Sequence, residues 1–391
     1  MSSRSGLRVL QATPGYAPAY ELGGPIQSLE GLTHHLANLG VDVRVLTTDS
    51  GGDKRLDVAD GWQQWRGIPV RYVRRWFRPD VAPGYFPLAL IEALRADVLH
   101  VTGIFSVPSI QAMLAALAAR RPVVLSTRGA LEPGALSYGP VRRKRSWLSA
   151  VRPLLRQATV FHATSEKEAQ SIRASLGASS EVRVVPNGVD LPADAEPIEA
   201  SGDPVVGFLG RIHPVKALGQ LIDAAAILQE RGLRFALRIA GPMPDPRYRA
   251  ELEAQIQKLG LGRVALLSGE LRGAEKRAFY EGCRVFVLPS STENFGNVVP
   301  EALGYRIPVV ASRFTPWAEL EDVGCGRWVG NSPRELADAI EPYLRDLDLA
   351  RRAGELGRAL VQRRYTWDAA ARSMIEVYNE SIALHRRAPP D

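Results

Sequence analysis

Two short stretches carry most of the chemistry this chain can offer. In the first, Gly207-Phe208-Leu209-Gly210-Arg211-Ile212-His213-Pro214-Val215-Lys216, two cations flank a turn that follows an apolar run. A guanidinium fork at Arg211 and an ammonium point charge at Lys216 together suit a diphosphate. The second stretch, Pro289-Ser-Ser-Thr-Glu293-Asn294-Phe295-Gly296-Asn297-Val298-Val-Pro-Glu301, places two carboxylates eight positions apart around a helix start predicted at Asn297 or Val298. The N–H groups and positive dipole end there suit a pyrophosphate or sugar hydroxyls. Spacing alone leaves a second reading open, with Glu293 as a helix cap and Glu301 as a solvated helix residue. Neither stretch spells GxGxxG or GxxxxGK[ST], so dinucleotide-fold and P-loop readings lose support.

The elements that must hold these residues alternate along the whole chain. In the first half, strands are predicted at 8–12, 41–48, 70–73, 98–102, 123–127, 160–163 and 182–185, with helices at 26–38 and 109–119 among those between them. The second half repeats the rhythm, with strands at 205–209, 235–240, 264–267, 285–288 and 309–311 and helices at 218–230, 248–259, 274–281 and 298–305. Short β-branched runs alternating with helices are the pattern of βαβ units and parallel sheets buried on both faces. The chain therefore reads as α/β, with two doubly wound domains. Pro186, Pro192, Pro197 and Pro204 punctuate a polar join. Domains are expected at 1–186 and 204–365, with a linker at 187–203. The tail, 366–391, carries an amphipathic helix expected to pack back on the first domain.

Composition narrows the class. On a scale of about 150 residues per domain, 391 residues make two or three domains, and 46% apolar with 23% charged residues is globular composition. There is no apolar run of membrane-spanning length and no signal-peptide core near the N-terminus, so a cytoplasmic protein is expected. Cys283 and Cys325 stand without a CxxC pair or a His cluster, which argues against a disulfide framework or a zinc site. The net charge of +7 is uneven: residues 1–190 carry +8 and the rest −1. An excess confined to one half suggests that this half meets something anionic.

Taken in order, these segments resemble the retaining GT-B glycosyltransferases of family 4. The likeness rests on Gly210-Arg211 with Lys216, Glu293 with Phe295-Gly296 and Glu301, and Ile307-Pro308-Val309-Val310. The segments Val184–Asp190, Thr315–Leu320 and Gly324-Cys325-Gly326 are similar to bacterial members that build exopolysaccharide or lipopolysaccharide. The resemblance implies two Rossmann-like domains facing a cleft, and transfer of a hexosyl group from a UDP- or GDP-sugar to a glycan or lipid-linked saccharide. It implies that Arg211 and Lys216 hold the donor diphosphate after Gly210. It further implies that Glu293, with Asn294, Phe295, Gly296, Asn297 and Val298, meets the transferred sugar and that Glu301 accepts from the ribose hydroxyls. The Gly23-Gly24 turn resembles the glycine loop of the first domain, where a Cβ would block approach of phosphate or acceptor. Many family members place a His where this chain has Arg128, which could stabilise phosphate charge but could not act as a base. His100 and His162 end strands and read as structural residues.

Neither a metal nor another cofactor is expected, because two cations and a helix N-terminus can supply the positive charge. The Asp346-Leu347-Asp348 triplet spells DxD but lies between helical stretches and reads as solvated surface. Arg142, Arg143, Lys144 and Arg145 adjoin Trp147; at helical spacing Arg142, Arg145, Arg152 and Arg156 share one face and Trp147, Leu148, Val151, Leu154 and Leu155 the opposite one, on a helix that Pro153 could kink or end. A second cluster, Arg71-Tyr-Val-Arg74-Arg75-Trp76-Phe77-Arg78, interleaves cations with aromatics. Both suit an anionic membrane surface, placing the protein peripherally on the inner face of the plasma membrane; both are equally compatible with solvated faces over a core. Two other functions remain compatible with parts of the sequence. A nucleotide-sugar epimerase would turn over donor without acceptor. A nucleic-acid binder would use the basic half and leave the second-half motifs idle, so no nucleic-acid partner is expected.

Overall fold

The computed structural model describes residues 6–52, 54–76, 81–196, 198 and 202–387. Met1 to Ser5, Phe77 and Arg78 of the second basic cluster and Pro197 of the join lie outside the described residues. The chain divides into two compact units, residues 1–188 with 367–391 and residues 189–366.

Unit 1 opens with β1 (Arg8–Ala12), α1 (Gly24–Asn38) and β2 (Asp42–Thr48), followed by the small hairpin β3 (Ser50–Gly51) and β4 (Lys54–Arg55). Next come β5 (Trp62–Trp65), β6 (Ile68–Val73), α2 (Tyr85–Arg95), β7 (Val98–Thr102), α3 (Val107–Ala118) and β8 (Val123–Ser126). It continues through α4 (Pro133–Ser137), α5 (Val141–Leu155), β9 (Val160–Ala163), α6 (Glu166–Leu176) and β10 (Val182–Val184). The main sheet runs β10-β9-β8-β7-β1-β2-β6-β5, parallel except for β5. Its inner strands are apolar on both faces because both are covered. Leu10, Leu99, Val101, Leu125 and Phe161 face one core, while Val9, Val43, Val98, Val124 and Val160 face another.

Unit 2 comprises β11 (Val205–Leu209), α7 (Leu218–Glu230), β12 (Ala236–Ala240), α8 (Pro246–Lys258), β13 (Ala265–Ser268), α9 (Gly273–Glu281) and β14 (Val285–Leu288). It closes with α10 (Val298–Gly304), β15 (Val309–Ser312), α11 (Glu319–Val323), β16 (Gly326–Val329), α12 (Pro333–Arg345) and α13 (Leu347–Arg364). Its all-parallel sheet runs β13-β12-β11-β14-β15-β16, so the winding reverses between β11 and β14. The last helix, α14 (Trp367–Arg387), returns to unit 1 and packs on α1. Trp367 fits there because a Cβ on Gly31 would stand 2.4 Å from its ring and one on Gly188 2.5 Å from its Cα.

Several expectations are corrected. The stretch expected as a linker packs onto unit 2: Val189 and Ile198 join its core, and Arg358 donates to the Pro192 carbonyl at 2.7 Å. Strand β16 was not anticipated, since only Trp328 and Val329 give it strand character; a Cβ on Gly326 would meet the Val309 carbonyl oxygen at 2.0 Å. The edge strand β5, with the sequence Trp-Gln-Gln-Trp, was also not anticipated. Pro153 does not end α5, because it sits two residues from the C-terminus, where only one backbone bond is lost.

Candidate active site

In an open parallel sheet the crevice beyond the carboxyl ends of the strands, at the point where the winding reverses, is the natural ligand position. In unit 2 that point lies between β11 and β14, and the two stretches singled out from the sequence are the loops that follow these strands. The β11 loop is held by its neighbour. Gly210 N–H donates to Ala240 O at 3.0 Å and Ile212 N–H to Pro242 O at 2.9 Å. The approach is so close that a Cβ on Gly241 would stand 1.9 Å from Gly210 O. His213 then accepts from Val215 N–H at 3.3 Å through Nδ1, and Ser291 N–H donates to Val215 O at 2.8 Å, tying the β14 loop to the β11 loop. Burial, followed by the charges of Arg211 and Lys216, holds the His213 imidazolium below its ordinary range.

The result is an ion pair between Lys216 Nζ and Glu293 Oε2, each side chain less than a fifth exposed. Ser290 Oγ adds a weaker donor to the same oxygen at 3.4 Å. Arg211 is exposed. Gly296 has φ of +81°, and a Cβ there would meet Leu288 Cδ2 at 3.0 Å and Glu293 Cγ at 3.2 Å, so glycine is required both by conformation and by space. Behind it the Trp317 indole N–H donates to Phe295 O, and the rings of Phe295, Trp317 and Tyr365 lie 5.1 to 6.1 Å apart. This aromatic wedge fixes the backbone of the loop.

Glu301 is not a solvated helix residue. It accepts from Lys276 Nζ at 2.8 Å and from the buried Tyr280 hydroxyl at 2.7 Å. Burial, then the Glu301 charge, pushes the Tyr280 hydroxyl well above its ordinary range. Lys276 and Tyr280 escaped sequence reading, although their four-residue spacing on one face of α9 was the available signal. Asn294, Asn297 and Val298 lie in the same loop and at the start of α10, a helix of only two turns.

In unit 1, Gly23 takes φ of +94° immediately before α1, so this turn also demands glycine. Arg128 sits in left-handed backbone, φ of 53°, just after β8. Its loop is gathered by Glu168, which accepts from Thr127 Oγ1 at 2.7 Å, Gly129 N–H at 2.6 Å and Thr164 N–H at 2.8 Å. These donors hold the Glu168 carboxyl below its usual range against the opposing effect of burial. Arg128 Nη1 donates to Asn187 Oδ1 at 2.8 Å, and burial lowers its guanidinium.

His100 and His162 form a buried chain with a single consistent proton arrangement. His162 Nε2 faces the Val185 carbonyl at 2.8 Å and must carry the proton, so its Nδ1 accepts from Ser126 Oγ at 2.6 Å. Ser126 in turn accepts from His100 Nε2 at 2.6 Å, leaving His100 Nδ1 to accept from the Tyr378 hydroxyl at 2.8 Å and the Gln11 amide at 3.1 Å. Burial, with the nearby Arg128 charge, pushes His162 down to about 4, and burial also takes His100 well below its usual range.

The basic residues divide on inspection. Arg142, Arg143 and Arg145 are exposed on α5 and form no ion pair among the described residues. Lys144 instead donates to Ala135 O and Tyr138 O, and the Trp147 indole N–H donates to Ile104 O at 2.8 Å. Arg75 of the second cluster is buried and donates to the Ser50 hydroxyl and to the Gly52 and Lys54 carbonyls. Asp346 caps α13 by accepting from Leu349 N–H at 2.9 Å, while Asp348 lies 4.0 Å from Arg351. Among the described residues no helix is long and apolar enough to cross a membrane.

Residues 23–188 match the model of the glycosyl transferase 4-like domain and residues 193–360 that of glycosyl transferases group 1. Among solved structures, HepE of Anabaena, determined in complex with UDP, superposes with a TM-score of 0.76 over 96% of this chain and 100% of its own, at 20% identity. Sucrose-phosphate synthase of Thermosynechococcus elongatus gives 0.74 over 97% of this chain and 99% of its own, also at 20% identity. The fold is thus GT-B, the two-domain class of glycosyltransferases. Within that class the chain is a GT-B glycosyltransferase in which residues 193–360 carry the group 1 match. Among curated relatives, D-inositol 3-phosphate glycosyltransferase 2 of Catenulispora acidiphila is 27% identical over 97% of this chain and 95% of its own length. The enzyme of that type from Xylanimonas cellulosilytica is 26% identical over 90% of both chains.

Proposed function

We propose that this glycosyltransferase moves a hexosyl group, with retention, from a UDP- or GDP-sugar bound at the β11/β14 switch point of unit 2. The observation that carries this reading is the Lys216–Glu293 ion pair at that point, beside Gly296 and the Lys276–Glu301–Tyr280 cluster. Before donor binds, Lys216 holds Glu293 in place. An arriving diphosphate takes Lys216 and Arg211 as partners and leaves Glu293 to accept from a hydroxyl of the transferred sugar. Glu301 already has two donors but retains lone pairs, so it can accept from ribose hydroxyls without losing its orientation.

In the transfer step the bond from the sugar's anomeric carbon to the phosphate oxygen breaks, and the acceptor oxygen bonds to that carbon on the same face. The acceptor proton passes to the departing phosphate oxygen. Arg211 and Lys216 stabilise the charge that develops on the leaving diphosphate. No metal is needed for that stabilisation, so EDTA is expected to leave the rate unchanged.

The acceptor in this reading is a glycan or lipid-linked saccharide of bacterial cell-surface polysaccharide synthesis. A phosphorylated polyol is the second reading, favoured by the names of the curated relatives and by the half-buried cation Arg128 in the basic unit. The exposed Arg142, Arg143 and Arg145 hold the protein to an anionic leaflet at about 1 kcal/mol each, without help from Lys144 or Trp147, whose donors are engaged. Phosphatidylglycerol vesicles should co-sediment the wild type at low salt and not a triple Arg→Glu variant. The deciding experiment for the donor is calorimetry with UDP-, GDP-, dTDP- and ADP-sugars, followed by turnover of the binding donor with a panel of saccharide and polyol phosphate acceptors. Failure of all four donors to bind overturns the reading, and turnover without acceptor would make the protein an epimerase.

A further inference from the structure

A second opening lies at the same strand-end edge of unit 2, formed by the loops after β11, β14, β15 and β16. It holds about 600 Å³. Pro214 and Ala217 form its wall on the β11 side, bracketing the turn whose Lys216 pairs with Glu293. Its polar lining consists of neutral amides and hydroxyls, from Gln220, Ser291 and Asn331, with the Phe314 ring standing 48% exposed at the β15 loop. Among the described residues neither the Gln220 amide nor the Ser291 hydroxyl has a hydrogen-bond partner within the chain.

The charge of the lining restricts the ligand. No lysine or arginine lines the cavity, and its one carboxylate, Glu335, is engaged with Ser332 in the capping box of α12. A phosphate or carboxylate would meet that carboxylate and no cation, so anions are disfavoured. An apolar ligand would leave amides and hydroxyls desolvated without partners. A hydroxylated ring satisfies both demands: amides bridge neighbouring hydroxyls as donor and acceptor at once, and the C–H face of the ring covers the aromatic side chain.

We propose that this cavity is a second carbohydrate site, taking a neutral sugar ring of the glycan acceptor beside the donor site. The inference rests on the reading of the chain as a transferase acting on a glycan, and it predicts that a disaccharide binds while the nucleotide site is full. Saturation-transfer NMR on the full chain, with maltose, cellobiose and lactose as probes, tests it. At least one disaccharide should respond, the response should persist when UDP is added in excess, and Phe314→Ala and Gln220→Ala should each weaken it about five-fold to ten-fold. Absence of any response, loss of the response on adding UDP, or a response indifferent to Phe314→Ala overturns the proposal. Circular dichroism of both variants, whose altered side chains are not buried, checks that the fold is kept. Calorimetric titration with UDP and with GDP separates the two readings. A chain that binds the disaccharide and neither nucleotide fails as the proposed donor enzyme and keeps the sugar site, while one that binds a nucleotide alone does the reverse.

Discussion

The two units put the same kinds of polar side chain to opposite uses. In unit 1, His100, Ser126, His162, Gln11 and Tyr378 engage one another beneath the strand ends, and Glu168 is saturated by its own loop. In unit 2, Lys216 and Glu293 face each other with some exposure and Arg211 stands in solvent. One set holds a sheet and a helix together; the other sits where a ligand can compete for it. Perturbed titration alone does not separate these roles, since strong shifts fall both on the sealed set and on Tyr280 beside Glu301.

The comparison breaks first at Glu293. Glu293→Gln is expected to keep the melting temperature and nucleotide affinity while turnover drops by about 10² to 10³, the loss associated with one transition-state contact. A variant with near-normal kcat removes Glu293 from the reaction. Acid should discriminate the units next. His100 and His162 are neutral when folded and free to protonate when unfolded, so their contribution is complete above about pH 6.5 and is lost as pH falls toward the folded value of about 4 for His162. The cost for that one residue is roughly 3 kcal/mol, and chemical denaturation followed between pH 7 and 4 should show it as a falling midpoint. Replacing His162 with Gln should flatten that dependence. A smaller effect is expected for Lys216→Ala and Arg211→Ala, each weakening nucleoside diphosphate binding by about 1.5 to 3 kcal/mol and sparing the nucleoside. Equal losses for both ligands in calorimetry would argue that neither cation touches the diphosphate. The smallest effect belongs to Tyr378→Phe, which removes one donor to His100 and should lower stability by about 1 to 2 kcal/mol without altering kcat.

Much of this architecture was legible in the sequence where strands were continuous apolar runs, as at Val205–Leu209 and Val285–Leu288, because burial on both faces favours apolar residues at every position. Strand β16 was not legible. Its pairing depends on the close approach of Gly326 to Val309, which a hydrophobic pattern does not encode. The separation of Glu293 from Glu301 was visible, but not that each already has a cation of its own, since Lys216 and Lys276 are distant in sequence. The basic run at 142–145 is uniform in charge along the sequence, yet the carbonyls ending α4 withdraw Lys144 from it. Arg75 looked like surface charge, and three backbone and hydroxyl acceptors bury it. In each case the missing information was a partner supplied by a different element.

Because α14 belongs to unit 1 while all of unit 2 precedes it in the chain, the two units cannot mature in the order in which they are synthesised. Translation at about 5 to 20 residues per second takes roughly ten to forty seconds to cross unit 2. Throughout that interval the sheet face carrying Val9, Val98, Val124 and Val160 waits for Trp367, Met374 and Tyr378. Unit 2, with both of its boundaries already made, can close first. The first-made half of the protein is therefore the last to be finished, and a nascent chain paused near Thr366 presents a bare apolar surface that a ribosome-associated chaperone would be expected to hold.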